Sequence, residues 1–148
     1  MATLTVTHSE SLTLDGRERG STQAFTVSNI TEIYERTLTV PATETVLVAF
    51  GADVEGSVVE LPVTNAKYIR ITNTHASNDI EIGVIADTNY QVTLAAGQSH
   101  VLGAAGECML AEENADPSFG TMTNLTSIEA KAISSAATVE VFIASAAG

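Results

Sequence analysis

The chain is short of most residues that carry chemistry or cross-links. Its 148 residues include one cysteine, Cys108. No internal disulfide can form and no multi-cysteine zinc pattern exists, so the fold does not depend on covalent staples. Tryptophan is absent, and the aromatics are three tyrosines and four phenylalanines. Such a chain is poor in the stacking platforms that sugar-binding sandwiches commonly use. Positive charge is scarce: six Lys and Arg stand against eighteen Asp and Glu, a formal net charge of −12. Nucleic acid is bound by neutralising its phosphates with Lys and Arg, so a chain of this sign is not expected to bind it. An anionic membrane surface is disfavoured on the same ground. Long apolar runs are also missing. None approaches the roughly 18 uninterrupted residues of a spanning helix, and the Ala-rich C-terminal stretch is broken by Ser, Thr and Glu. Met1 leads into the alternating Ala2-Thr3-Leu4-Thr5-Val6-Thr7, not into the basic start and apolar run of a signal peptide. The expectation is a soluble protein made in the cytoplasm.

What remains is apolar enough to fold. Hydrophobic residues make up 45% of the chain and mean hydropathy is +0.20, which separates it from disordered acidic tails. The length fits a single domain, residues 1–148, able to bury about two-thirds of its unfolded surface. Period-two alternation recurs in short pieces, the mark of half-buried strands. Leu4 and Val6 share one face, as do Val46, Val48 and Phe50; Ile69 and Ile71; Ile80, Ile82 and Val84; Tyr90, Val92 and Leu94; Ile128, Ala130 and Ala132; and Val139, Val141 and Ile143. Weaker strands fit 10–14, 21–28, 32–40, 57–61 and 98–102. Hairpins are expected at 67–85 and 89–102, around the polar stretch 73–79 and the connection 95–98. Pro41 and Pro62 fall at strand ends, where a missing donor is tolerated. One short helix at most, near 107–115, is compatible with the pattern. The fold class is therefore all-β, an antiparallel β-sandwich of jelly-roll-like form. Residues 1–20 precede the denser pattern and read as an N-terminal arm, able to lend strands to a neighbouring subunit.

Reactive constellations are thin. His8, His75 and His100 lie far apart without a metal-ligand or catalytic spacing and read as ordinary surface or strand residues. Cys108, flanked by Glu107 and Met109, has no partner motif and reads as a small packed residue. Gly97-Gln98-Ser99 and Gly103-Ala104-Ala105-Gly106 lack phosphate-loop endings and read as turns. The acidic stretch Glu107, Glu112, Glu113, Asn114 and Asp116 offers oxygen donors that suit calcium, but it departs from the EF-hand pattern and reads foremost as a solvated loop. Asn29-Ile30-Thr31 and Asn124-Leu125-Thr126 match the glycosylation sequon and read as chance. No catalytic residue, cofactor or metal site is expected, and the chain does not read as an enzyme. The four apolar residues of the arm, Leu4, Val6, Leu12 and Leu14, are the expected assembly interface.

The run Lys67-Tyr68-Ile69-Arg70-Ile71-Thr72-Asn73, continuing through Asp79-Ile80-Glu81-Ile82-Gly83-Val84, is followed by Tyr90-Gln91-Val92-Thr93-Leu94-Ala95-Ala96-Gly97-Gln98-Ser99. Ser127-Ile128-Glu129-Ala130-Lys131-Ala132 and Thr138-Val139-Glu140-Val141-Phe142-Ile143-Ala144 then close the pattern. In these residues the chain resembles small β-sandwich virion proteins of tailed bacteriophages, of the capsid decoration or cement type. The resemblance covers the C-terminal half and implies an accessory virion protein, made in the host cytoplasm. It would sit as a homotrimer on the outer capsid surface and bridge major capsid protein subunits. A tail, neck or fibre-base location, and a carbohydrate-binding module or adhesin, are the alternative readings.

Overall fold

In a computed structural model, residues 1–51, 60–110 and 119–146 are described. They form twelve strands: β1 (Ala2–Ser9), β2 (Thr13–Leu14), β3 (Arg17–Glu18), β4 (Thr22–Val40), β5 (Thr45–Gly51), β6 (Glu60–Pro62), β7 (Ala66–Asn73), β8 (Ile80–Ile85), β9 (Asn89–Leu94), β10 (Ser99–Leu102), β11 (Ser127–Ala132) and β12 (Ala137–Ala146). Among the described residues no helix occurs. Residues 107–110 turn and then bridge from Met109 to Thr123, and the rest of the expected helix, 111–115, lies outside the described residues.

The topology is a long hairpin rolled up on itself. The pairs β8·β9, β7·β10, β5·β11 and β4·β12 nest inside one another, all antiparallel. Rolling this ribbon adds β7·β12 and β8·β11. Two sheets result, β4-β12-β7-β10 with β1 beyond β4, and β9-β8-β11-β5 with β6 on its far edge. This is the jelly-roll order, and the expected all-β sandwich stands. Among the described strands β6 departs from antiparallel pairing and lies parallel to β5.

The core lies between the sheets, where alternation places it. Ile69, Ile71, Val139, Val141 and Ile143 of the first sheet face Ile80, Ile82, Val84, Ile128 and Ala130 of the second. Burying each large aliphatic contributes about 1.5–3 kcal/mol. Val46 does not join them. The register of β11 on β5 slips between Ile128 and Glu129, so Val48 pairs with Ile128 while Val46 pairs with Glu129. The extra residue, Leu47, turns inward, and Val46 is left on the outer face, 45% exposed.

The two expected hairpins are not formed. β7 and β8 lie in different sheets, and so do β9 and β10. The segments 73–79 and 95–98 are arches that carry the chain across the sandwich, where backbone groups have no ladder partner. Asn73, fully buried at the end of β7, supplies what the ladder does not. Its Nδ2 donates to the carbonyls of Asn78 (2.8 Å) and Leu94 (3.0 Å), and its Oδ1 accepts from His75 N (3.1 Å). Its own backbone N–H donates to Gln98 O, and its carbonyl accepts from Gly97 N. One asparagine thus ties both arches together at one end of the sandwich.

Candidate functional site

The N-terminal thirty residues form a two-stranded ribbon of β1 and the first half of β4, paired from Ala2↔Ile30 to Ser9↔Thr22. The ribbon does not continue in the plane of its sheet. It lies over the outer face of that sheet, where Leu4, Val6 and Val27 meet Tyr68, Val101 and Phe142. Phe25, Tyr68 and Phe142 stand in a row with ring centroids 6.3 and 6.2 Å apart, tilted as aromatic pairs prefer. Tyr68 is only 4% exposed on a face that alternation alone would call wet. Arg70 of the same face pairs with Glu140 and lies over the Phe142 ring at 5.3 Å.

The ribbon ends in a small ordered tip. Asp15 and Gly16 have φ of 52° and 72°, the two positive values of a tight type I′ turn between β2 and β3. The Glu18 carboxylate organises the tip from one side, accepting from Leu12 N (3.0 Å), Gly20 N (2.8 Å) and Thr13 Oγ1 (3.4 Å). The backbone bonds from Gly20 and Leu12 hold its pKa below the usual carboxylate value. At Gly20 the chain passes so near Glu10 that a Cβ would meet the Glu10 carbonyl oxygen at 1.9 Å. On this scaffold Leu12 and Leu14 are presented to solvent, 56% and 53% exposed.

The four residues expected to form one interface are therefore divided. Val6, and Leu4 in part, are used within the chain to seat the ribbon, while Leu12 and Leu14 remain free at its tip. Sequence reasoning missed the receiving surface, Tyr68, Val101 and Phe142. The only trace of it was the presence of large apolar residues at outward positions of β7, β10 and β12.

The other singled-out residues are dispersed. His8 stacks on Phe25 at 6.4 Å. His75 accepts from Ser77 N and Asn78 N through Nδ1, which makes it a turn former inside the first arch. His100 shares a hydrogen bond of 2.9 Å with Tyr90 Oη, and burial lowers its pKa while raising that of Tyr90. Cys108 has its thiol pKa raised by burial. With Tyr90, Met109 and Met122 it borders an open apolar hollow of about 430 Å³. On the outer face of the second sheet Glu129 has its pKa raised by the neighbouring Glu44 carboxyl, and Lys131 pairs with Glu81 at 3.3 Å. The calcium candidates Glu112, Glu113 and Asp116 lie outside the described residues, and among the described residues no group of acids, histidines and cysteine is placed to hold a metal.

The fold and this surface define a jelly-roll β-sandwich that carries an N-terminal β-ribbon as a third layer. No family model, no curated protein sequence and no solved structure matches the chain.

Proposed function

We propose that this protein is a structural component of a virion, a capsid decoration protein of the outer head surface that binds neighbouring major capsid protein subunits as a homo-oligomer. The observation that carries the reading is the ribbon tip. Two leucines more than half exposed are held on a turn stiffened by Glu18, on the far end of a ribbon whose Leu4, Val6 and Val27 are already used to seat it. Apolar side chains displayed on an ordered projection are what a contact with a preformed protein surface requires. The jelly roll supports the reading as an architecture suited to packing in many copies, and the phage-like strand pattern of the C-terminal half points the same way. The net charge of −12 keeps a decorated surface soluble and unattractive to the packaged nucleic acid. Binding the assembled lattice, and not free subunits, adds the binding free energy to the stability of the shell by linkage.

The test is to mix purified protein with undecorated shells. The reading expects saturable binding at fixed stoichiometry and a higher temperature of shell disruption, and it expects Leu12→Asp with Leu14→Asp to abolish both while leaving the fold intact. Absence of binding to shells, or undiminished binding by the double variant, refutes it. A specific signal on a glycan array in place of shell binding would move the protein to the adhesin class.

A further inference from the structure

We propose that the N-terminal ribbon exchanges between two copies of this chain, each ribbon seating on the Tyr68–Val101–Phe142 surface of the other, with Asn29 as the hinge. The inference stands on the geometry of β4 and does not depend on where the protein assembles.

Three irregularities meet at one point of β4. Asn29 has φ 63°, in the left-handed region that asparagine tolerates better than other non-glycine residues and that β-branched residues resist. On one edge the pairing with β1 slips between Ala2↔Ile30 and Leu4↔Val27, so that Ser28 and Asn29 oppose the single residue Thr3. On the other edge the pairing with β12 slips between Ser145↔Glu32 and Ala146↔Ile30, leaving Thr31 without a partner. A 19-residue strand is thus bent at a single corner, and both of its ladders are interrupted there. The bend is what allows the ribbon to fold back onto its own sheet.

The seat is separate from the main core. Val6, Ile30, Tyr68 and Ala144 form their own buried cluster, with Leu4, Val27, Val101 and Phe142 around it. Detaching the ribbon leaves the facing isoleucines and valines of the sandwich undisturbed. A two-stranded ribbon is not stable alone in water, so once detached it needs a sheet to lie on. The surface complementary to it is the one it has left, and in solution that surface is offered by another copy. If the corner straightens, residues 22–29 run on from the sandwich for about 26 Å, at about 3.3 Å per residue, enough to reach a neighbour. Seating contacts are the same in both forms. The balance then falls to the hinge, where straightening removes the left-handed residue, and to the entropy of association.

The test uses the hinge and the seat in turn. Asn29→Val, whose β-branched side chain resists positive φ, is expected to sediment at twice the monomer mass at micromolar concentration. Asn29→Gly, which accepts the bend, is expected to dimerise at least tenfold more weakly. Equal association of the two variants overturns the proposal. Should Asn29→Val fail to fold, the natural hinge still gives an answer. In a Cys108→Ser background, chains carrying Val6→Cys are mixed with chains carrying Val101→Cys, two positions that line the same groove. Exchange predicts disulfide-linked heterodimers well in excess of either homodimer, whereas a statistical mixture, or no cross-linking, overturns it.

Discussion

Asn73 ties both arches together through its side chain and its backbone, and it makes a sharp prediction. Replacing it with Asp keeps the shape and inverts one function. Where Nδ2 donates to the carbonyls of Asn78 and Leu94, a carboxylate would set an anionic oxygen against both acceptors, in a site with no solvent exposure. Asn73→Ala removes three side-chain hydrogen bonds, each worth about 1 kcal/mol net, and leaves buried groups unsatisfied, for a loss of about 3–5 kcal/mol. Asn73→Asp loses the two donated bonds and adds the penalty of burying a charge, so at neutral pH it should cost at least as much. At about 2–4 °C per kcal/mol for a chain of this size, either variant should melt at least about 6 °C lower. The two differ in pH dependence. A carboxyl in this site has its folded pKa raised above an unfolded value of about 3.9. Its penalty is therefore absent below that value and grows as pH rises through the folded pKa. Urea denaturation of both variants between pH 4 and 8 measures this. If Asn73→Asp were within 1 kcal/mol of the parent at pH 7, or no more stable toward pH 4 relative to Asn73→Ala, the hydrogen-bonding account of the two arches would be wrong.

Glu18 has a depressed pKa, so its ordering of the ribbon tip is present above the unfolded value and lost as pH falls through the folded one. The protection of the Leu12 and Gly20 amides, taken relative to the intrinsic exchange rate at each pH, should fall on acidification in the parent and be low at all pH in Glu18→Gln. Glu129 has the opposite sign, with its pKa raised by Glu44, so its carboxylate disfavours the fold as pH rises. Glu129→Gln should unfold at slightly higher denaturant than the parent at pH 7 and lose that advantage at pH 4. Ile82→Ala, at a site with no solvent exposure between the two sheets, should cost about 2–5 kcal/mol by equilibrium unfolding.

How far the sequence reaches can be read from individual residues. Ile69, Ile71, Ile80, Ile82, Val139 and Val141 sit where alternation places them, because a strand's side chains must alternate and one face must be dry. Val46 breaks the rule through one extra residue in β5, a bulge visible only once β11 lies beside it. The stretches 73–79 and 95–98 have the composition of turns, and turns they are, but local chemistry does not tell a hairpin from an arch between sheets. Of the candidate interface, Leu12 and Leu14 stay exposed while Val6 is buried, since whether an alternating ribbon is covered depends on what it folds onto.

By itself, then, the sequence determined the strands of the sandwich core, their inward faces, and a core independent of disulfides, all consequences of period-two patterning and composition, whereas the expected strands 21–28 and 32–40 are one continuous β4. Only the tertiary structure decided how those strands nest and roll into two sheets, that Asn73 joins both arches, and that the N-terminal ribbon bends at Asn29 onto Tyr68 and Phe142. Pairing between distant segments, and the covering of an outward face by another piece of chain, depend on contacts that no local window of sequence contains.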